Sequence, residues 1–185
     1  MYVDRVLYPV TALGPGKRVA LWVAGCNRFC HKCANPELWK RHEYQKITPQ
    51  KLIHAIKGVI GSGIDGITIT GGEPFNQAAE LCAFLDGLPE HLDVLVFTGY
   101  RYDELLVNHE TRELLSRIDV LVDGEYVDEW NDNKSVLRGS TNQHIRFLNG
   151  NVRPEYEKYL AEGRKIQNFG YDYEIISGGI HNRSL

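Results

Sequence analysis

The chain has 185 residues, one domain's worth of sequence, so a single domain over 1–185 is expected, with 146–185 as a less legible C-terminal extension. With 21 Lys and Arg against 24 Asp and Glu it carries a net charge of −3, which argues against a protein built to hold phosphate backbones or anionic membranes, and no nucleic-acid partner is expected. Its longest apolar runs are strand-sized, far short of the ~20 residues of a membrane span, and Met1-Tyr2-Val3-Asp4-Arg5 carries no export signal, so no membrane and a cytoplasmic setting are expected.

Val19 to Ala24 reads as the first strand. After a cysteine-rich loop, Thr48 is placed to cap a helix with Pro49 at its first position; Leu52, Ile56, Val59 and Ile60 share one face and Gly61 ends it. Gly66 to Thr70 is the second strand, followed by a Gly71-Gly72 turn. A helix from Pro74 or Asn76 to Asp86 comes next, with Ala78, Leu81, Cys82 and Leu85 on its apolar face and Gly87 as its stop. Asp93 to Phe97 is the third strand, Tyr102 to Ile118 is helical with a break near Asn108, and Asp119 to Asp123 is the fourth strand. Glu125 to Gly139 has no period and reads as a long loop. Ile145 to Leu148 is a fifth strand, Pro154 to Ala161 a short helix, and Tyr173 to Ser177 a last strand.

Strands alternating with helices imply βα units and a parallel sheet. Four to six such units cannot close an eight-stranded barrel, which takes ~250 residues. The expected fold class is α/β, an open partial (β/α) barrel of about five or six mostly parallel strands, with the active site at the C-terminal strand ends.

That rule gathers the chemically distinctive residues: Gly25 to Cys33 after the first strand, Gly71-Gly72-Glu73-Pro74 after the second, Thr98-Gly99-Tyr100 after the third and Asp123-Gly124-Glu125 after the fourth. Cys26, Cys30 and Cys33, spaced C-x3-C-x2-C, can wrap one soft metal centre, and a four-iron cubane held by three thiolates leaves one iron open to a ligand. The competing assignment is a structural zinc module with His31 or Cys82 as fourth ligand, although such sites usually show two paired ligand couples. In the glycine turn, Gly71 and Gly72 let backbone approach a ligand, and Glu73 offers a carboxylate to an ammonium group. A tight βα turn with an acid at a helix N-terminus explains the same residues without a ligand.

The two motifs together resemble the signature of the radical S-adenosylmethionine enzymes. Gly14-Pro15-Gly16 with Val19 to Cys26, and Cys33-Ala34-Asn35-Pro36-Glu37-Leu38-Trp39, resemble the glycyl-radical-enzyme activases. Phe97-Thr98-Gly99-Tyr100, Asp119 to Gly124 and Arg138 to Gln143 are similar to the activases of anaerobic (class III) ribonucleotide reductases. The resemblance implies that Cys26, Cys30 and Cys33 hold a 4Fe-4S cluster whose free iron binds S-adenosylmethionine, with Gly71, Gly72 and Glu73 at its methionine end and Asn35, Thr98 and Asp123 near its nucleoside. It implies a 5′-deoxyadenosyl radical that installs a glycyl radical on a partner enzyme, and a flavodoxin-type electron donor. A small-molecule enzyme of the 7-carboxy-7-deazaguanine synthase type is the alternative within the superfamily. There the cluster loop typically runs into Cys-Asp-Thr, whereas here Cys33 is followed by Ala34-Asn35.

The sequence departs from the family pattern at Lys32, where an aromatic or apolar residue usually precedes the third cysteine, and at Ala34; Phe29 or Trp39 is the substitute surface for adenine. Leu13 stands where many activases have an acid. Cys82 reads as core filling on its helix. Phe169 to Tyr173 reads first as core packing of a last strand and second as a partner contact.

Overall fold

The computed structural model describes residues 1–171 and 174–181, with side chains described to 170 and from 175. Six strands form one open sheet in sequence order: β1 (Val3–Val10), β2 (Arg18–Val23), β3 (Gly66–Gly71), β4 (Asp93–Phe97), β5 (Val120–Asp123) and β6 (His144–Phe147). The four central strands are parallel, while β1 and β6 pair antiparallel at the two edges. This is the open partial barrel expected from the βα alternation, with two antiparallel edges that parallel units do not foretell.

Helix α1 (Pro49–Ile60) is capped by Thr48, whose hydroxyl accepts from Lys51 N at 3.3 Å. A short 3-10 turn (Pro74–Gln77) leads into α2 (Ala78–Leu85). The helical stretch after β4 divides into α3 (Tyr102–Leu105) and α4 (His109–Leu115) because the Asn108 side chain accepts from Glu110 N and starts a new helix. Successive strand residues face opposite sides. Val19, Leu21 and Val23 of β2 join Ile67, Ile69, Val94, Val96 and Leu121 in a core covered by Leu52 and Ile56 of α1, Leu81 and Phe84 of α2 and Leu114 of α4. Cys82 packs at the margin of that core.

The other face of the sheet is covered by the C-terminal segment. Helix α5 (Arg153–Ala161) buries Tyr156 and Tyr159 against Leu95, Val120 and Val122. Beyond it, β7 (Ile166–Tyr171) and β8 (Glu174–Gly179) form a separate antiparallel hairpin, and Phe169 and Ile180 pack on Trp22, Ala20 and Leu13. The expected last strand is β8; Tyr173 lies outside the described residues. Deep under this segment the fully buried Arg18 donates to both oxygens of Asp93 (2.7 and 2.9 Å) and to Thr68 Oγ1 (2.7 Å), and Tyr156 OH donates to Asp93 Oδ1 at 2.6 Å. Gly66 makes room for this guanidinium, since a Cβ there would lie 2.6 Å from Arg18 Nη1.

Candidate functional site

The cysteine loop leaves the end of β2 at Gly25, which adopts φ 98°. Gly25 N donates to Leu38 O at 2.8 Å and Cys26 N to Trp39 O at 3.0 Å, so the loop is closed at its base by its own backbone. Phe29 and Lys32 take left-handed conformations (φ 50° and 55°), which turns the chain twice between the first and third cysteines. All three thiols are partly buried and unpaired by disulfide. Two of them receive a backbone N–H: Arg28 N on Cys26 Sγ and Asn35 N on Cys33 Sγ, both at 3.4 Å. Burial pushes the Cys26 and Cys30 thiols up, and nearby backbone N–H groups oppose it because they favour the thiolate.

This donor set fits an iron–sulfur cluster, in which cysteine sulfurs ligate iron while accepting backbone N–H bonds. Among the described residues no three His, Cys, Asp or Glu groups gather at single-ion spacing. A cubane, whose irons occupy separate corners, needs no such gathering. His31 is exposed, and Cys82 lies on α2 in the helix-side core, away from the loop.

The glycine turn packs directly on the base of the cysteine loop. Gly72 N donates to Val23 O at 2.7 Å and Glu73 N to Gly25 O at 2.9 Å. Side chains are excluded here: a Cβ on Gly71 (φ 105°) would lie 2.6 Å from the Val23 backbone, and one on Gly72 would lie 2.6 Å from Gly25 O. Glu73 is 1% exposed. Its Oε1 accepts from Phe75 N at 3.0 Å and Thr98 Oγ1 at 2.7 Å, and its Oε2 from Gly99 N at 2.8 Å. Burial pushes this carboxyl up to about 7, against the pull of the Thr98, Gly99 and Phe75 donors and the Arg28 charge.

Thr98 is thereby committed to Glu73, and its oxygen also accepts from Tyr100 N. Asp123, 1% exposed, accepts from Arg146 Nε at 2.7 Å and from Tyr102 N at 2.9 Å, which ties β5 to β6 and to the start of α3. Asn35 precedes the 3-10 turn Pro36–Trp39 and leaves its side chain out of the cap. It lines a cleft of about 1010 Å³ together with Lys32 and Cys33 of the cysteine loop, Trp22 and Phe97 of the sheet, and Ile176 of the hairpin. The structure thus joins the root of the cysteine loop to Gly71 to Glu73 and Thr98, lines the cleft with Cys33 and Asn35, and puts the Asp123 carboxylate into a scaffold ion pair.

Sequence reasoning named some neighbours without assigning them contacts and missed Asp128. Tyr100 OH exchanges hydrogen bonds with Asn27 and Asn76, and Arg28 lies 4.9 Å above the Tyr100 ring. The strand-end rule gathered Tyr100 with Thr98 and Gly99 but gave it no role. Asp128, ion-paired with Lys32, lies in the aperiodic loop after β5 and carries no sequence signal. Phe29, 60% exposed, stacks edge-on against Trp39 with ring centroids 5.4 Å apart.

Residues 12–146 match the family described as a 4Fe-4S single cluster domain. Curated relatives include the anaerobic ribonucleoside-triphosphate reductase-activating proteins of Salmonella typhi and of Escherichia coli (strain K12), 33% and 32% identical over 149 residues, covering 76% of this chain and 96% of each relative. The protein of that name from Enterobacteria phage T4 is 30% identical over 151 residues, 78% of this chain and 93% of its own length. Among solved structures, QueE from Escherichia coli aligns with a TM-score of 0.44 at 18% identity, covering 53% of this chain and 52% of that one.

Proposed function

We propose that this chain, which belongs to the family of the anaerobic ribonucleoside-triphosphate reductase-activating proteins, installs a glycyl radical on such a reductase as its partner. The chemistry supplied by a 4Fe-4S cluster and S-adenosylmethionine, when bound, is one-electron cleavage of the sulfonium and removal of hydrogen from a glycine α-carbon. Cys26, Cys30 and Cys33 would hold the cluster, with backbone N–H groups on the Cys26 and Cys33 sulfurs. The observation that carries the reading is the backbone contact between the two motifs: Gly72 and Glu73 N–H groups bond to Val23 and Gly25 at the root of the cysteine loop. A ligand held at the cysteine loop would have the Gly71-Gly72-Glu73 turn beside it.

Glu73 serves in this reading as the carboxylate for the ligand's ammonium group. Thr98 orients it by holding Oε1, and Oε2 accepts the Gly99 N–H, so a further donor approaches through Oε2. Asn35 faces the cleft where a nucleoside would lie, while Asp123 acts from behind by fixing β6 and α3. Trp22 and Phe97 wall the cleft with apolar surface, which excludes water from a radical. The chain acts as one domain over 1–185 in the cytoplasm and takes its electron from a flavodoxin-type donor. No helix among the described residues is long and apolar enough to cross a membrane.

The test is anaerobic. Protein carrying iron and sulfide, mixed with reductant, S-adenosylmethionine and the reductase, is expected to release 5′-deoxyadenosine and to generate a glycyl radical seen by electron paramagnetic resonance. Cleavage of S-adenosylmethionine with no radical on the reductase would reject that partner, and iron-loaded protein that never cleaves it would reject the activity.

A further inference from the structure

Successive residues of a strand face opposite sides of its sheet, so a cleft that meets one face of a strand touches every second residue. The cleft beside Cys33 instead touches Ile175, Ile176 and Ser177 in succession, then Gly179 and Ile180, while β7 contributes only Ile166. The cleft therefore runs along the edge of β8. The other edge is taken by β7, in register from Ile166 opposite Gly179 to Tyr171 opposite Glu174. Among the described residues no other strand pairs with β8, and no further backbone hydrogen bond reaches 174–180. The N–H and C=O groups of alternate β8 residues thus point away from β7, toward the cleft. Strand edges are commonly guarded by Lys or Pro, and β8 has neither; its Ile175 is 76% exposed. The hairpin itself is fixed: Phe169 packs on Trp22, Gln167 Nε2 donates to Pro9 O at 2.8 Å, and Gln167 Oε1 accepts from Thr11 N at 2.8 Å. It follows the family match at 12–146, so this edge belongs to the chain's own C-terminal segment.

We propose that β8 is a docking edge for the partner reductase, whose glycine-bearing segment adds to it as an extended strand, bonded backbone to backbone and led past Cys33. The inference rests on the reading that such a reductase is the partner. An open strand edge is complementary to an extended polypeptide, because each unpaired N–H and C=O needs a main-chain partner. A glycine offers no side chain for a pocket to grip, so main-chain bonds are what fix its α-carbon, and strand register sets which α-carbon faces the cysteine loop. Ile166 and Ile175 supply apolar surface for the residues that flank the glycine.

The test uses the iron- and sulfide-loaded chain with the full-length reductase under anaerobic conditions. Ile175→Lys puts a guarding charge on the edge; it is expected to raise the KM for the reductase about tenfold with kcat within about twofold, the pattern of lost docking. Val107→Lys, at an 81% exposed position outside the cleft, is expected to leave both unchanged. A second measurement needs no variant: hydrogen exchange followed by mass spectrometry on the unsubstituted chain should show slower amide exchange over 174–180 once the reductase is added. An unmoved KM in Ile175→Lys, or unchanged exchange over 174–180 in the complex, overturns the docking edge. A concentration-dependent dimer, seen by sedimentation and lost in Ile175→Lys while the KM stays put, makes a second copy of this chain the occupant and equally overturns it. An unsubstituted chain that neither binds nor activates the reductase overturns the reading beneath, an outcome distinct from activation with an unprotected β8.

Discussion

Cys82 and the three loop cysteines differ in what surrounds their sulfurs. Cys82 lies among the side chains of the helix-side core, whereas Cys26, Cys30 and Cys33 sit in a loop where Cys26 and Cys33 each receive a backbone N–H. Cys82→Ala is expected to keep full iron and sulfide content and to cost about 1 kcal/mol, the scale of one deleted buried group. Alanine at any one of the three loop positions is expected to abolish the cluster, read as lost iron and lost visible absorbance. Glu73 allows a test by pH. Its carboxyl is raised from 4.5 to about 7 by burial, so between those values the folded chain binds more protons than the unfolded one. Stability attributable to this group is therefore complete below pH 4.5, declines as pH rises through the window, and is fully lost above about 7, a penalty of about 3 kcal/mol. Urea midpoints of the parent should fall across that window, and Glu73→Gln, which does not titrate and keeps one acceptor oxygen where the carboxylate has two, should show a flatter profile.

At the level of elements, the β3 turn is a backbone-on-backbone joint. Gly71 combines φ 105° with a Cβ position 2.6 Å from Val23 N and O. A side chain there must strain the turn and part β3 from β2 at the site. Gly71→Ala is expected to lower stability by about 2 kcal/mol or more and to weaken S-adenosylmethionine binding, measured by thermal shift and by equilibrium dialysis of the loaded protein. Gly61, in contrast, ends α1 with right-handed φ −66° and only ordinary contacts near a Cβ, so Gly61→Ala should be tolerated within about 1 kcal/mol. Two glycines that look alike as punctuation in the sequence thus differ in consequence, because only one faces another strand's backbone.

Over the whole molecule, the sheet is closed on its second face by residues that follow the family match at 12–146. Tyr156 is the pin of that closure, bonded to Asp93 at 2.6 Å, with Arg18 6.0 Å from its ring. Tyr156→Ala is expected to cost about 3–5 kcal/mol, and Tyr156→Phe about 1–2, since Arg18 still holds Asp93; thermal denaturation distinguishes the two. Much of the central architecture was legible. Strands β2 to β5 are short runs rich in β-branched and other apolar residues, the helices between them carry caps and apolar faces, and the break at Asn108 follows from its capping chemistry. Strand β1 was not, because Asp4, Arg5 and Pro9 dilute its pattern as an edge strand allows. The hairpin was half seen: β8 was expected and β7 was not, since Gln167, Asn168 and Gly170 carry little strand signal. By itself the sequence determined the order of the βα units and the chemistry of the cysteine and glycine motifs, which depend on residue type and local spacing. Tertiary structure alone decided that the C-terminal segment lines the cleft, that Asp123 belongs to Arg146, and that Asp128 meets Lys32. Such contacts join residues tens of positions apart, 63 in the case of Tyr156 and Asp93, and exist only once the chain has closed on itself.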